Sequence, residues 1–178
     1  EEGNWVEIKR DLDRNPIEGV NGSSGNDNII GILKKYGVKT VDGSPSESPG
    51  VIVDVWGTGK PLREFMYSPD MAEACVWVME TADVSDIVGM TQSDSLKDHH
   101  PPQFLNIGTG EEISISELAS KIKKLSGFRG DIVFDTSKPD GTMRKTTDIT
   151  LLRKLGYTHK YNLDAGLAET YRKYLEYA

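Results

Sequence analysis

The chain has 178 residues, 37% of them apolar and 28% charged, a composition typical of a globular domain with a buried core. A formal net charge of −7 argues against broad nucleic-acid binding, because most of the surface would repel a phosphodiester backbone. The sequence contains no apolar run approaching the roughly 18 residues that a membrane helix needs. The single cysteine, Cys75, excludes an internal disulfide framework and favours a reducing compartment, which we expect to be the cytoplasm.

The first 50 residues differ in pattern from the rest. Apolar residues at helical spacing predict two short helices, over residues 4–14 and 28–36. Residues 21–26 are rich in turn-forming residues, and residues 42–50 are rich in helix breakers and poor in apolar side chains. We therefore expect residues 1–50 to form a helical insertion that ends in a flexible loop, followed by a domain over residues 51–178.

From Val51 onward, short β-branched runs alternate with helical patterns, which predicts an α/β domain. Strands are predicted at residues 51–56, 104–107 and 131–135, and a polar loop at residues 86–102. Helices are predicted at residues 69–81, from a capping box at 114–117 to Gly127, from Asp148 to Gly156, and after Asn162. In the helix at 69–81, the stripe expected to be buried consists of Met71, Cys75, Val78 and Met79.

A glycine-containing loop directly follows the first of these strands. It reads Trp56-Gly57-Thr58-Gly59-Lys60-Pro61-Leu62-Arg63-Glu64-Phe65. The two glycines allow backbone to approach a ligand closely, and the indole of Trp56 offers a flat stacking surface. The planar guanidinium of Arg63 suits phosphate oxygens. The alternative is a hairpin turn in which Arg63 pairs with Glu64.

Three cations surround a second turn, in which Lys138, Arg144 and Lys145 flank Pro139-Asp140-Gly141. A plain turn explains only the proline, aspartate and glycine. Together with Arg63, the cations could neutralise a diphosphate. The carboxylate of Asp140 could accept hydrogen bonds from sugar hydroxyls or from the N–H edge of guanine.

Other candidate motifs carry less chemistry. Residues 106–110 read Asn-Ile-Gly-Thr-Gly, but Ile113 stands where a dinucleotide fingerprint needs its third glycine, so a structural turn is the favoured interpretation over a cofactor loop. His99 and His100 have no carboxylate or thiol neighbours at metal-site spacing. No serine–histidine–aspartate or nucleophile-elbow pattern can be assembled. Cys75 lies on a predicted apolar stripe, which indicates a core position.

Taken in chain order, these stretches resemble the C-terminal half of the extended short-chain dehydrogenase/reductases that act on nucleotide sugars. The shared pattern consists of the Gly-x-Gly loop with Arg63-Glu64-Phe65, Asp70 with Ala72-Glu73-Ala74, Asn106-Ile107-Gly108, and Asp148 with Leu155-Gly156-Tyr157 and Gly166-Leu167. Residues 56–65 together with residues 134–145 resemble, more narrowly, the GDP-L-fucose synthase family. The resemblance covers about residues 51–176.

The resemblance implies a fold and a function. The fold is the small α/β substrate-binding domain of an extended short-chain dehydrogenase/reductase, here preceded by an N-terminal helical insertion. The family converts GDP-4-keto-6-deoxy-D-mannose to GDP-L-fucose by epimerisation at C3 and C5 and NADPH-dependent reduction at C4. The resemblance places four residues at positions where the family contacts the GDP-sugar: Trp56, Arg63, Asp140 and Lys145. The chemistry of the side chains agrees for Arg63 and Lys145 as partners of the diphosphate.

The family's glycine-rich NADPH loop, its Ser and Tyr-x-x-x-Lys catalytic set and its Cys/His acid–base pair have no counterpart in this sequence. We therefore expect the NADP-binding Rossmann domain and all catalytic residues to lie outside the chain. The chain alone is expected to be inactive, without cofactor and monomeric, and the full-length enzyme to be a homodimer. Two alternatives are the same domain of another nucleotide-sugar epimerase or dehydratase, and a stand-alone nucleotide-sugar-binding module without catalytic activity.

Overall fold

The computed structural model describes residues 4–40, 50–91 and 104–177. The loop expected at residues 42–50 therefore lies outside the described residues except for Gly50, and so do His99 and His100. The helices are α1 Trp5–Arg14, α2 Asn26–Lys35, α3 Ser68–Thr81, α4 Val84–Thr91, α5 Ile115–Ser126, α6 Thr150–Leu155 and α7 Leu163–Tyr177. The strands are β1 Val38–Thr40, β2 Val51–Trp56, β3 Leu62–Arg63, β4 Ile113–Ser114, β5 Asp131–Asp135 and β6 Arg144–Lys145. Within the described ranges, no helix has the length and apolar character needed to cross a membrane.

The chain divides into two compact units. The first comprises Glu1–Pro61, Ile115–Gly141 and Tyr171–Ala178, and the second comprises Leu62–Ser114 and Thr142–Thr170. Because each unit contains segments that are far apart in sequence, the division does not follow the predicted boundary at residue 50. That boundary stays a prediction.

The first unit contains a three-stranded sheet in the order β1-β2-β5. Strands β2 and β5, both predicted, pair in parallel with Trp56 opposite Asp135 at the end of the ladder. Parallel neighbours need a crossover connection, and α5 lies in the segment between them. Strand β1 was not predicted and pairs antiparallel with β2. Helices α1 and α2 match the predicted pair and bury Leu12, Ile29 and Ile32.

The second unit contains a small sheet in the order β4-β3-β6, in which each strand has two residues. Its apolar core consists of Ala74, Ile149, Leu152 and Tyr157, with partly buried neighbours that include Trp77. Asp70 is 1% exposed, and two groups hold it in place. The Tyr157 hydroxyl donates to its carbonyl at 2.9 Å, and the Tyr161 N–H donates to its carboxylate at 2.9 Å.

These bonds at Asp70 explain why the stripe predicted to be buried on α3 is wrong for three of its four residues, whereas Val78 packs on the core. They turn Asp70 and Ala74 toward the core, so Met71, Cys75 and Met79 lie on the exposed side of the helix. Because α3 carries apolar residues on more than one side, spacing alone did not identify the buried one. Cys75 is therefore not a core residue.

Two other predictions differ from the structure. Residues 104–107, predicted to be a strand, form neither a strand nor a helix. The Asn106 side chain donates to the Asp148 carbonyl at 3.1 Å, and Leu105 and Ile107 pack on the core of the second unit. In the segment predicted to be a polar loop, residues 84–91 form α4. The carboxylate of Asp86 accepts from the Asp83 N–H at 2.8 Å and stabilises the start of that helix.

Candidate functional site

Arg63 and Lys145 are direct neighbours in the second unit. They pair in register on the parallel strands β3 and β6. Side chains in register on adjacent strands point to the same face of a sheet, so this small sheet presents two cations side by side. The Arg63 guanidinium is partly buried and donates to the Leu62 carbonyl at 2.7 Å, which leaves most of its N–H groups for other acceptors. The pair can bind an anion with two charged oxygens, such as a diphosphate.

Glu64 directly follows β3 and holds a turn together. Its carboxylate accepts from the backbone N–H groups of Thr109, of Gly110 at 2.7 Å and of Thr147 at 3.0 Å. Burial alone would raise the pKa of Glu64, but these backbone donors outweigh it and lower the pKa. The hairpin alternative, in which Arg63 pairs with Glu64, is therefore wrong.

The same contacts explain the Gly108-Thr109-Gly110 sequence. A Cβ atom on Gly108 would lie 2.3 Å from a carboxylate oxygen of Glu64, so a larger residue there would have to displace that carboxylate. The N–H groups of Thr109 and Gly110 point at Glu64, and they are not displayed toward a phosphate. The interpretation as a structural turn agrees with this geometry.

Trp56, in the predicted site, is exposed, with 72% of its surface accessible. It ends β2 in the first unit, and the Lys138 ammonium lies 5.5 Å from its ring centroid. This distance is typical of a cation–π contact. An exposed indole at the end of a strand can act as a flat platform for a ligand ring, and a nearby ammonium favours an anionic ligand.

Asp140, also in the first unit, has both carboxylate oxygens engaged by one residue. Thr58 donates its N–H to Oδ1 at 2.7 Å and its hydroxyl to Oδ2 at 2.6 Å. The Thr58 hydroxyl and N–H lower the pKa of Asp140, so the carboxylate is charged at neutral pH. Asp140 therefore stabilises the Gly57–Gly59 turn directly.

The three cations around the second predicted turn have different surroundings. Lys138 lies over Trp56, Lys145 lies beside Arg63, and Arg144 pairs with Glu112 at 2.5 Å. The pKa of Arg144 is raised by that carboxylate, which already neutralises its charge. Arg144 is therefore already paired with a carboxylate, whereas the sequence suggested that all three cations could neutralise a diphosphate.

An apolar groove of about 630 Å³ lies elsewhere in the first unit, between β2, β5 and the helices α5 and α7. Val53, Val55, Ile122 and Tyr174 contribute to its lining, and none of the four predicted site residues does. In the part of the chain that the structure describes, no three His, Cys, Asp or Glu side chains are grouped as a metal site requires.

Sequence reasoning missed two residues that shape these sites. Thr58 and Glu64 were noted only as parts of a motif, although each binds a partner far along the chain. Thr58 and Asp140 are separated by 82 residues, and Thr109 and Glu64 by 45. The available signal was the sequence Gly-Thr-Gly, which occurs at both 57–59 and 108–110.

Residues 46–90 match the NAD dependent epimerase/dehydratase family. The chain is 41% identical over 148 residues to the GDP-L-fucose synthase of Escherichia coli K12, an alignment covering 83% of this chain and 42% of that enzyme.

Solved structures with similar folds include enzymes named for GDP-linked sugars. A GDP-6-OMe-4-keto-L-xylo-heptose reductase from C. jejuni matches with a TM-score of 0.78 and 30% identity, over 99% of this chain and 43% of that one. An NADP-bound GDP-L-fucose synthetase from Naegleria fowleri matches with a TM-score of 0.52 and 32% identity, over 70% of this chain and 35% of that one.

In each comparison, the chain spans less than half the length of the relative. The chain shares with these structures a mixed α/β fold of the kind expected. Among the relatives described above, its sequence identity is higher to the two GDP-L-fucose synthases than to the heptose reductase. Residues 46–90 therefore resemble the NAD dependent epimerase/dehydratase family, and the chain resembles one part of the GDP-L-fucose synthases.

Proposed function

We propose that this chain is the GDP-sugar-binding part of a GDP-L-fucose synthase. The complete enzyme would epimerise GDP-4-keto-6-deoxy-D-mannose at C3 and C5 and reduce C4 with NADPH. The single observation that carries the proposal is the register pairing of Arg63 with Lys145, which sets two cations side by side on one sheet face. The identity to the E. coli enzyme supports the choice of substrate.

The four residues would divide the work of binding. Arg63 and Lys145 would hold the diphosphate, because charge-assisted N–H···O bonds to phosphate are strong and the guanidinium can bind in a bidentate way. Trp56 would stack on a ring of the ligand. Asp140 belongs to the same proposed set. It would either contact the ligand directly or act through the turn that it stabilises.

NADPH and the catalytic residues would be supplied by a part of the enzyme outside residues 1–178. The cytoplasm is the proposed location, and a homodimer the proposed assembly of the complete enzyme. A module that binds nucleotide sugars without catalysis is the competing function, and activity of the full-length protein separates the two. Consumption of NADPH with GDP-4-keto-6-deoxy-D-mannose supports the enzyme, and its absence supports the module.

The binding proposal is tested by calorimetric titration of the chain with GDP, with ADP as the control. We expect GDP to bind more tightly than ADP. Arg63→Ala and Lys145→Ala should each weaken GDP binding by about 1.5 to 3 kcal/mol, the range for hydrogen bonds to charged groups. Arg14→Ala and Lys124→Ala remove exposed cations from helices and are the matched controls. Equal affinity for GDP in all four variants would exclude the diphosphate role.

A further inference from the structure

The turn between β2 and β3 is fixed at several points in the first unit. The Gly57 N–H donates to the Asp135 carbonyl at 3.0 Å, and the Gly59 carbonyl accepts from the Ser116 N–H at 2.9 Å. Gly57 and Gly59 have φ values of +84° and +72°, which favour glycine. A Cβ atom on Gly57 would lie 2.2 Å from Asp140 Oδ1, so carboxylate and backbone are in direct contact.

Asp140 and Thr58 form a closed pair within this turn. Each carboxylate oxygen accepts one hydrogen bond from Thr58, and the Thr58 hydroxyl oxygen also accepts from the Lys60 N–H at 3.2 Å. The hydroxyl proton is already donated to Asp140. An ionised carboxylate has about four lone-pair sites, so Thr58 fixes the position of both Asp140 oxygens and leaves each of them a further acceptor site.

Trp56 is joined directly to this turn by a peptide bond. Its side chain is largely exposed, so the backbone of β2 and Gly57 determines much of where the indole stands. On the basis of the proposed function, we infer that Asp140 is a positioning residue: by holding Thr58, it fixes the Gly57–Gly59 turn and so places Trp56 for the nucleotide sugar. Thr58 is the second member of this pair, and the sequence motif that contains it gave it no function.

The test combines a ligand-free measurement with a binding measurement. The chain has three tryptophans, Trp5, Trp56 and Trp77, so labelling with 5-fluorotryptophan gives three ¹⁹F resonances that single Trp→Phe variants assign. We expect Asp140→Ala and Thr58→Val each to shift or broaden the Trp56 resonance. The Trp5 and Trp77 resonances should stay in place and show that both variants are folded.

Titration with GDP supplies the second readout. Each single variant should lower the GDP affinity by roughly tenfold. The double variant should lower it by about the same factor, because both changes remove the same Thr58–Asp140 interaction. Asp140→Asn should restore most of the loss, since its side-chain oxygen can still accept from the Thr58 N–H. Asp27→Ala, which removes an exposed carboxylate from α2, is the matched control.

Opposite results would overturn the inference. If Asp140→Ala weakens GDP binding while the Trp56 resonance stays unchanged, or if the losses in the double variant multiply, Asp140 contacts the ligand directly. If the parent chain does not bind GDP, the proposed function fails for this chain. The Trp56 resonance then still tests whether Asp140 and Thr58 position the indole. An unchanged signal in both variants shows that they do not.

Discussion

Two Gly-Thr-Gly turns, one in each unit, are built on the same local plan. In both, a distant carboxylate accepts from the N–H and the hydroxyl of the threonine, and a carboxylate oxygen occupies the space where the first glycine would carry a Cβ atom. In both, the threonine hydroxyl also accepts from the backbone N–H two residues later.

The surroundings of the two turns differ. Glu64 accepts from two further backbone N–H groups, and Thr109 is 5% exposed. Asp140 binds Thr58 alone among the described partners, and its turn follows the exposed Trp56. The same motif therefore serves stability in the second unit, whereas in the first it stands next to the exposed indole that we propose as a ligand platform. The sequence motif alone does not distinguish these uses.

The largest expected effect comes from removing the carboxylate of the buried turn. Glu64→Ala leaves three backbone N–H groups without their acceptor, and should lower the free energy of unfolding by about 2 to 3 kcal/mol. Urea unfolding measures the change, with Glu80→Ala on the exposed side of α3 as the control. Asp140→Ala should cost clearly less. A smaller loss for Glu64→Ala than for Asp140→Ala would reverse the comparison.

Alanine at the first glycine of each turn comes next. Gly57→Ala and Gly108→Ala each bring a Cβ atom against a carboxylate oxygen, and should lower the free energy of unfolding by about 1 to 3 kcal/mol. Gly57 adds strain because its φ is +84°. Gly31→Ala in α2 is the control: nothing lies within 4 Å of the added Cβ, and a helical glycine replaced by alanine should gain about 0.5 to 1 kcal/mol. Unfolding curves that coincide for all three variants would contradict the contacts.

The acid dependence of stability should also differ between the turns. The pKa of Glu64 is lowered in the folded chain, so its contribution is present above its ordinary value of 4.5 and is lost as the pH falls toward the folded pKa. Glu64→Gln should therefore differ most from the parent chain at neutral pH, and the difference should shrink below about pH 4.5. For Asp140→Asn, the same change should occur lower, below its ordinary value of 3.8. Urea unfolding at several pH values measures both, and a difference that grows with acid would have the wrong sign.

Sequence patterns predicted the elements that local rules determine. The helices at both ends of the chain follow from amphipathic spacing, and Gly127 and Gly156 end their helices with positive φ values as expected. The Asn162 side chain accepts from the Ala165 N–H at 2.9 Å, as a helix-capping residue should. Strands β2 and β5 follow from their β-branched runs.

The features that sequence did not predict depend on distant partners. The two-residue strands β3, β4 and β6 are too short for a periodic signal, yet their pairing sets Arg63 beside Lys145. The side of α3 that is buried depends on Tyr157 and Tyr161, more than 80 residues away from Asp70. The predicted site therefore rests on a resemblance of motifs, and the structure adds the neighbours of each residue.

The smallest expected effect isolates the threonine hydroxyl. Thr109→Val keeps the shape of the side chain and removes one donor to Glu64 and one acceptor from the Glu111 N–H, at 3.3 and 3.1 Å. Because Thr109 is buried, we expect a loss of about 1 kcal/mol in the free energy of unfolding. Thr58→Val should cost less, because water can replace the hydroxyl on the partly exposed turn. Thr109→Ser, which keeps the hydroxyl and loses the methyl group, separates hydrogen bonding from packing. If Thr109→Val is as stable as the parent chain, the hydroxyl contributes little and the comparison between the turns depends on the carboxylates alone.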